Sequence, residues 1–267
     1  MSEQEDALDD LGRAGVLRGI CWAWRAATRQ VLEDYDPLVG HNQAWIGYTA
    51  HILFSDRLDR VFSCDRFALA ANADPSSGVD LVRAGLSSDD RDTMPELAPR
   101  LVQRADLNGS PGWRFREWRW LLASYAYGKS DRIPWPQKKP TKRRVAAQRS
   151  PDEITLFDEE EFLSLDEVTL RAAKSAELDL ATLVAVHAID GTTGQSELFF
   201  GRTKLNTGGG YAWHWKVELI GTPPGSDGGR TSAPQSPVGP NPNALPDAPV
   251  KIRAVAADKS LRQDGSS

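Results

Sequence analysis

The chain carries four histidines, His41, His51, His187 and His214, and two cysteines, Cys21 and Cys64. Imidazole changes charge nearest to neutral pH, so the histidines are the first places to look for acid–base chemistry. Their spacing makes no HExxH pair and no paired Cys/His set, so neither a metal site nor a cofactor is expected. GxSxG, Walker A and GxGxxG patterns are likewise missing from the sequence. The glycine-rich run from Asn206 to Gly210 joins two strand-like stretches, with no helix start after it to hold a phosphate.

One enzymatic reading remains, a hydrolase-type polar site between helices and sheet built from His41, Asp56, Asp59, His187 and His214. Asp56 and Asp59 are three apart and share a helical face, as a carboxylate pair would. Arg57 and Arg60 are interleaved with them, which favours a charge-paired helix start over a working carboxylate pair. His214 alternates with Lys216 and Glu218 along one strand face. That face is either a proton-transfer surface opposite His187 or the polar side of an edge strand.

A second kind of chemistry is concentrated between Gly109 and Arg149. Ser110 and Pro111 have the form of a helix start and Gly128 that of a stop, which predicts a helix between them. Phe115, Trp118, Leu121, Leu122, Tyr125 and Ala126 fall on one face of it, and Trp120 and Tyr127 with Arg116 on the other. Such a helix is either buried between two layers or presents an Arg/aromatic surface able to stack on a base or a partner. Prolines 134, 136 and 140 then predict an extended, solvated backbone displaying Lys138, Lys139, Lys142, Arg143 and Arg144. The binding reading joins these groups: a cytoplasmic, non-enzymatic regulatory protein that contacts a nucleic acid or an acidic protein partner. The competing readings are a plain linker, neutralised by the acidic DEEEF at 158–162, and a scaffold acting through its C-terminal tail.

The elements that must position these groups follow from periodicity. Residues 7–33 carry a helical stripe of Val16, Ile20, Trp24, Ala27 and Val31, with Gly12, Gly15 and Gly19 permitting close packing or a break. A second helix is expected from Asn42, and a further one capped by Ser55. Residues 70–108 are turn-rich and acidic, with a short helix expected near 95–104. Capping boxes at Ser150 and Ser164 predict helices. From Leu180 the character changes to β: LATLVAVHAID, SELFFGRTKL and YAWHWKVELI read as three strands, the last placing Tyr211, Trp213, Trp215, Val217 and Leu219 on one face.

The expected architecture is α+β. A mainly helical region, 1–133, packs on a three-stranded antiparallel meander within 151–220, with the basic segment 134–150 between them. The Pro/Gly/Ser-rich tail, 221–267, is expected to be disordered apart from a strand-like island at 250–256. The net charge of −5 argues against a generally nucleic-acid-coating protein but leaves room for a local basic patch. The acidic start MSEQEDALDD does not resemble a signal peptide, and no apolar run approaches bilayer length, so no membrane contact is expected. An Arg-over-Lys bias in the helices and an Ala-rich composition point to a GC-rich bacterial genome.

Overall fold

A computed structural model describes residues 2–68, 78–98, 100–148 and 180–220 of the chain. The helices expected after Ser150 and Ser164, the acidic run 158–162, the tail and the island at 250–256 lie outside the described residues.

Ser2 and Glu5 form a reciprocal capping box that starts α1 (Glu3–Arg13). Gly15, at φ 77°, ends the run with a left-handed residue, and α2 (Val16–Asp34) begins at once. The single expected helix is therefore two, broken where glycine permits it. α3 (Gln43–Val61) is capped by the Asn42 side chain, which accepts from the backbone N–H of Ala44 and Trp45 at 3.0 Å. It runs unbroken through Ser55, so the expected separate helix there does not form. Two short helices, α4 (Val79–Arg83) and α5 (Ser88–Thr93), follow, while the described residues of 95–104 are not helical.

The largest departure lies between residues 103 and 124. The predicted Arg/Trp helix is instead a pair of strands, β2 (Gly112–Phe115) and β3 (Trp118–Ser124), joined through Arg116 and Glu117 and preceded by β1 (Gln103–Arg104). Arg116 takes a positive φ of 53° in the turn. Asn108-Gly109, both at positive φ, close the preceding hairpin, and Leu107 and Ser110 exchange backbone hydrogen bonds at 2.9 Å. Gly112 is required in β2, because a Cβ there would meet the Ala105 carbonyl oxygen at 2.5 Å. The physical reason for the switch is burial on two sides. Trp118 to Ala123 is buried throughout, Arg119 included, and a central strand covered by layers on both sides buries both of its faces.

β3 pairs in parallel with β4 (Ala181–Ile189), which continues antiparallel into β5 (Ser196–Thr203) and β6 (Trp213–Ile220). The result is one mixed sheet of six strands in the order β1-β2-β3-β4-β5-β6. The expected self-standing three-stranded meander is thus corrected: its strands are one half of a larger sheet. Trp120, Leu122, Leu183, Ala185 and Phe200 face α1–α3, in a core with Trp24, Phe54 and Leu58. Leu121, Ala123, Val184 and Val186 face the other way, onto Ile133, Trp135 and Val145.

That second layer is the basic segment. A 3-10 turn (Trp135–Gln137) and a short helix α6 (Pro140–Ala146) replace the expected extended chain, with Trp135 and Val145 fully buried. Trp135 donates its indole N–H to the Ala212 carbonyl at 2.8 Å, so the prolines frame an anchored cover and not a solvated spacer. In β6, a register shift at His214 lets Thr203 pair with Trp213 and Arg202 with Trp215. Trp213 consequently joins the α6 side and Trp215 the α1–α3 side, which overturns the expected single aromatic face.

Candidate functional site

Among the described strands β3 and β4 form the one parallel pair, and polar chemistry gathers at their carboxyl ends. Ser124, the last residue of β3, lies in register with His187, and the Tyr125 N–H donates to the His187 carbonyl at 3.2 Å. The His187 ring points to the helical side and is 1% exposed, with Trp24 at 4.8 Å and Phe54 edge-on at 5.5 Å between ring centroids. His51, one turn before Phe54 on α3, brings its Nδ1 to 3.1 Å from His187 Nε2. The basic segment closes over the same edge from the other face. Lys138 Nζ donates to the Ser124 carbonyl oxygen at 2.8 Å, while Lys139 is the N-cap of α6 and Lys142 lies in its first turn.

The electrostatics of this edge are one-signed. Burial lowers His51 to a pKa of about 4, and the ammonium groups of Lys142 and Lys139 add to the effect. His187 is held well below its ordinary value by burial first, then by His51, Lys138 and Lys142. Burial brings Lys142 down to about 8, with Lys139 and Lys138 repelling its charge, and burial also lowers Lys138. The charges acting on the two histidines are cations, and no described carboxylate lies within ion-pair distance of Lys138, Lys139 or Lys142. At neutral pH the edge therefore holds two neutral imidazoles, one hydrogen-bonded to the other, beneath three ammonium groups.

The remaining sequence candidates are distributed elsewhere. Five residues along α3 from His51, Asp56 pairs with Arg57, Arg66 and, at 2.7 Å, Arg60. Burial works against its charge, but Arg60, Arg57 and Arg66 hold the carboxyl below its ordinary value. Asp59 takes Arg104 Nη1 at 2.5 Å and the Trp113 indole N–H at 2.9 Å, with burial still pushing its carboxyl up. Asp56 and Asp59 are thus fully engaged by arginines. His41 stacks on Trp45 at 3.9 Å and accepts the Asp36 N–H at 3.0 Å. His214 sits half-buried at the β6 register shift. The expected five-residue polar site does not assemble, since only His187 reaches the edge of the parallel pair.

The Arg116/Trp120/Tyr127 face falls with the helix that would have carried it. Trp120 is fully buried and packs edge-on against Phe62 at 5.9 Å, so it presents no stacking surface. Arg116 lies over Phe115 and reaches Asp10 at 3.3 Å. Tyr127 donates its hydroxyl to Gln195 at 2.9 Å. Of the basic residues, Lys138, Lys139 and Lys142 reach the edge, Arg143 is exposed, and Arg144 is half-buried and already engaged. His51 was not among the sequence candidates. No motif links it to His187, 136 residues away, and the contact exists only once α3 lies across β4.

Among the described residues no group of three or more His, Cys, Asp or Glu could hold a metal ion. None of the described helices is long and apolar enough to cross a membrane. Comparison of the chain with protein-family models, with curated proteins and with solved structures finds no match.

Proposed function

We propose that the protein binds single-stranded nucleic acid by its phosphates, through Lys138, Lys139 and Lys142 at the carboxyl edge of β3 and β4, with the exposed Arg143 of α6 next to Lys142 in sequence. The observation that carries this reading is Lys142. Its ammonium is half-buried, beside two further ammonium groups, with its pKa brought down to about 8 and no described carboxylate in an ion pair with it. A protein that keeps cations crowded and unbalanced in this way leaves unfavourable energy for an arriving anion to relieve. The carboxyl ends of parallel strands are also where open α/β sheets receive ligands. With Trp120 inside the core, recognition rests on charge and not on base stacking, which suits a phosphate backbone.

The test is fluorescence anisotropy of a labelled single-stranded oligonucleotide across a salt series. Four phosphate contacts give a log–log slope of roughly −2.8, at about −0.7 each. The triple variant Lys139→Glu, Lys142→Glu, Arg143→Glu should flatten the slope with far-UV circular dichroism unchanged. Equal weak binding by wild type and variant would sink the reading. An enzymatic reading retains one specific support, the 3.1 Å contact between His51 and His187.

A further inference from the structure

We propose that two copies of this chain pair through the outer face of α3, with the two helices antiparallel about a two-fold axis; the pairing is independent of the lysine edge. α3 turns Ile46, Ala50, Phe54 and Leu58 into the core. At 3.6 residues per turn, Ala44, Tyr48, Ile52 and Ser55 fall on the opposite side. Tyr48 is 72% exposed and Ile52 48%. Leu38 and Val39, in the 3-10 turn Pro37–Val39 just before the helix, are exposed at 94% and 69%.

The other long helix shows how this protein ordinarily meets solvent. The exposed positions of α2 are Arg18, Arg25, Glu33 and Asp34, all charged. Those of α3 are Gln43, Ala44, Tyr48 and Ile52, none of them charged. The run from Pro37 to Ser55 holds no Asp, Glu, Lys or Arg, in a chain 26% of whose residues are charged. A helix with large apolar side chains on both sides is built to be covered on both sides.

Two features select a second copy as the cover. The first is charge. The chain carries −5, so two copies repel over most of their surface, and an uncharged face lets them meet at no electrostatic cost. An acidic or basic partner finds nothing there to complement it. The second feature is the order of sizes. Ala44, Tyr48 and Ile52 make one i, i+4 ridge, and Ser55 extends the same side by a turn. Small residues stand at both ends and large ones in the middle, so the face reads alike in either direction, as a two-fold contact requires. With the axis between Tyr48 and Ile52, Tyr48 of each copy lies against Ile52 of the other, and Ala44 comes near Ser55. Tyr48 is the rigid aromatic anchor of the contact. The face spans about three turns of helix, which places the pair among weak, concentration-dependent dimers.

The experiment is sedimentation velocity of the full chain over a series from micromolar to several hundred micromolar. The wild type should pass from monomer to dimer within it. Tyr48→Glu and Ile52→Lys should each raise the dissociation constant by about 30-fold or more, the weight of a central anchor, with far-UV circular dichroism unchanged. Arg18→Ala shifts the net charge as much as Tyr48→Glu does and should leave the constant unaltered. Mixing the Tyr48→Glu and Ile52→Lys variants sets the new carboxylate of one copy against the new ammonium of the other and keeps one native Tyr48–Ile52 contact. The mixture should therefore dimerise where neither variant does alone. A wild type that stays monomeric throughout overturns the proposal, since something other than a second copy then covers α3. Dimers that survive both substitutions, or that Arg18→Ala weakens equally, overturn it in favour of another surface or of bulk charge. A mixture that fails to dimerise overturns the antiparallel pairing.

Discussion

One helix, α3, carries two polar clusters of opposite design. At Asp56 and Asp59 every carboxylate is answered by arginine: Arg57, Arg60 and Arg66 around the first, Arg104 around the second, with the Trp113 N–H completing it. At His51, eight residues before Asp59 and about 12 Å along the axis, the charges acting on the ring among the described residues are those of Lys142 and Lys139, both positive. Both clusters are largely buried, yet burial alone does not distinguish a structural site from a working one. The balance of charge does. A balanced cluster gains nothing from a ligand, whereas an unbalanced one is relieved by it.

The comparison is broken most forcefully from the balanced side. Asp59→Ala leaves the buried Trp113 indole N–H without its acceptor and Arg104 with Asp106 as its remaining carboxylate, at a cost of about 1–3 kcal/mol. Urea unfolding measures it, and a loss below about 1 kcal/mol would show that the network is ornamental to the fold. Lys142→Met at the unbalanced cluster should do the reverse. Removing a crowded ammonium while keeping its apolar stem should leave stability unchanged or raise it by about 1 kcal/mol, while oligonucleotide affinity falls. Strong destabilisation by this change would mean that the ammonium has a structural partner and that the contrast between clusters is false.

Acidity sharpens the contrast without mutation. His51 is lowered in the folded protein to about 4 from 6.5, so between those values the unfolded chain binds the extra proton. Stability is fully present above about 6.5 and is lost as the pH falls through that window toward 4. His51→Phe should flatten the stability profile there, as read from denaturation midpoints. On the alkaline side, the lowered Lys142 begins to lose its proton near 8 rather than 10.5. Oligonucleotide affinity should therefore start to decline as the pH rises through 8. A decline only above pH 10 would place Lys142 among ordinary solvated lysines.

Much of the molecule can be read in the chain itself. The helical stripe through Val16, Ile20, Trp24, Ala27 and Val31 is local, set by 3.6-residue spacing, and all five are fully buried. The Asn42 cap and the β character of 181–220 are local as well, since β-branched alternation and side-chain capping act over a few residues. The Asp56/Asp59 arginine pairing was one of the two expectations for that stretch, because most of its partners are near neighbours in sequence. Even the hairpin before β2 had its signal in Asn108-Gly109, a pair suited to the positive φ of a tight turn. The helix reading overrode it because WRWLLA satisfies both periods.

What only the tertiary structure decided is which partner covers each apolar face. Trp118–Ala123 became a strand because β4, some sixty residues later, pairs alongside it in parallel, and no local preference outweighs that pairing. The basic segment became a cover because Trp135 and Val145 find the far face of the sheet. His51 meets His187, and the lysines crowd over both, only because α3 and α6 approach one strand edge from opposite sides. Local chemistry fixes what each residue can do. Long-range packing fixes which of them meet, since a contact across 136 residues carries no signature in the spacing of either one.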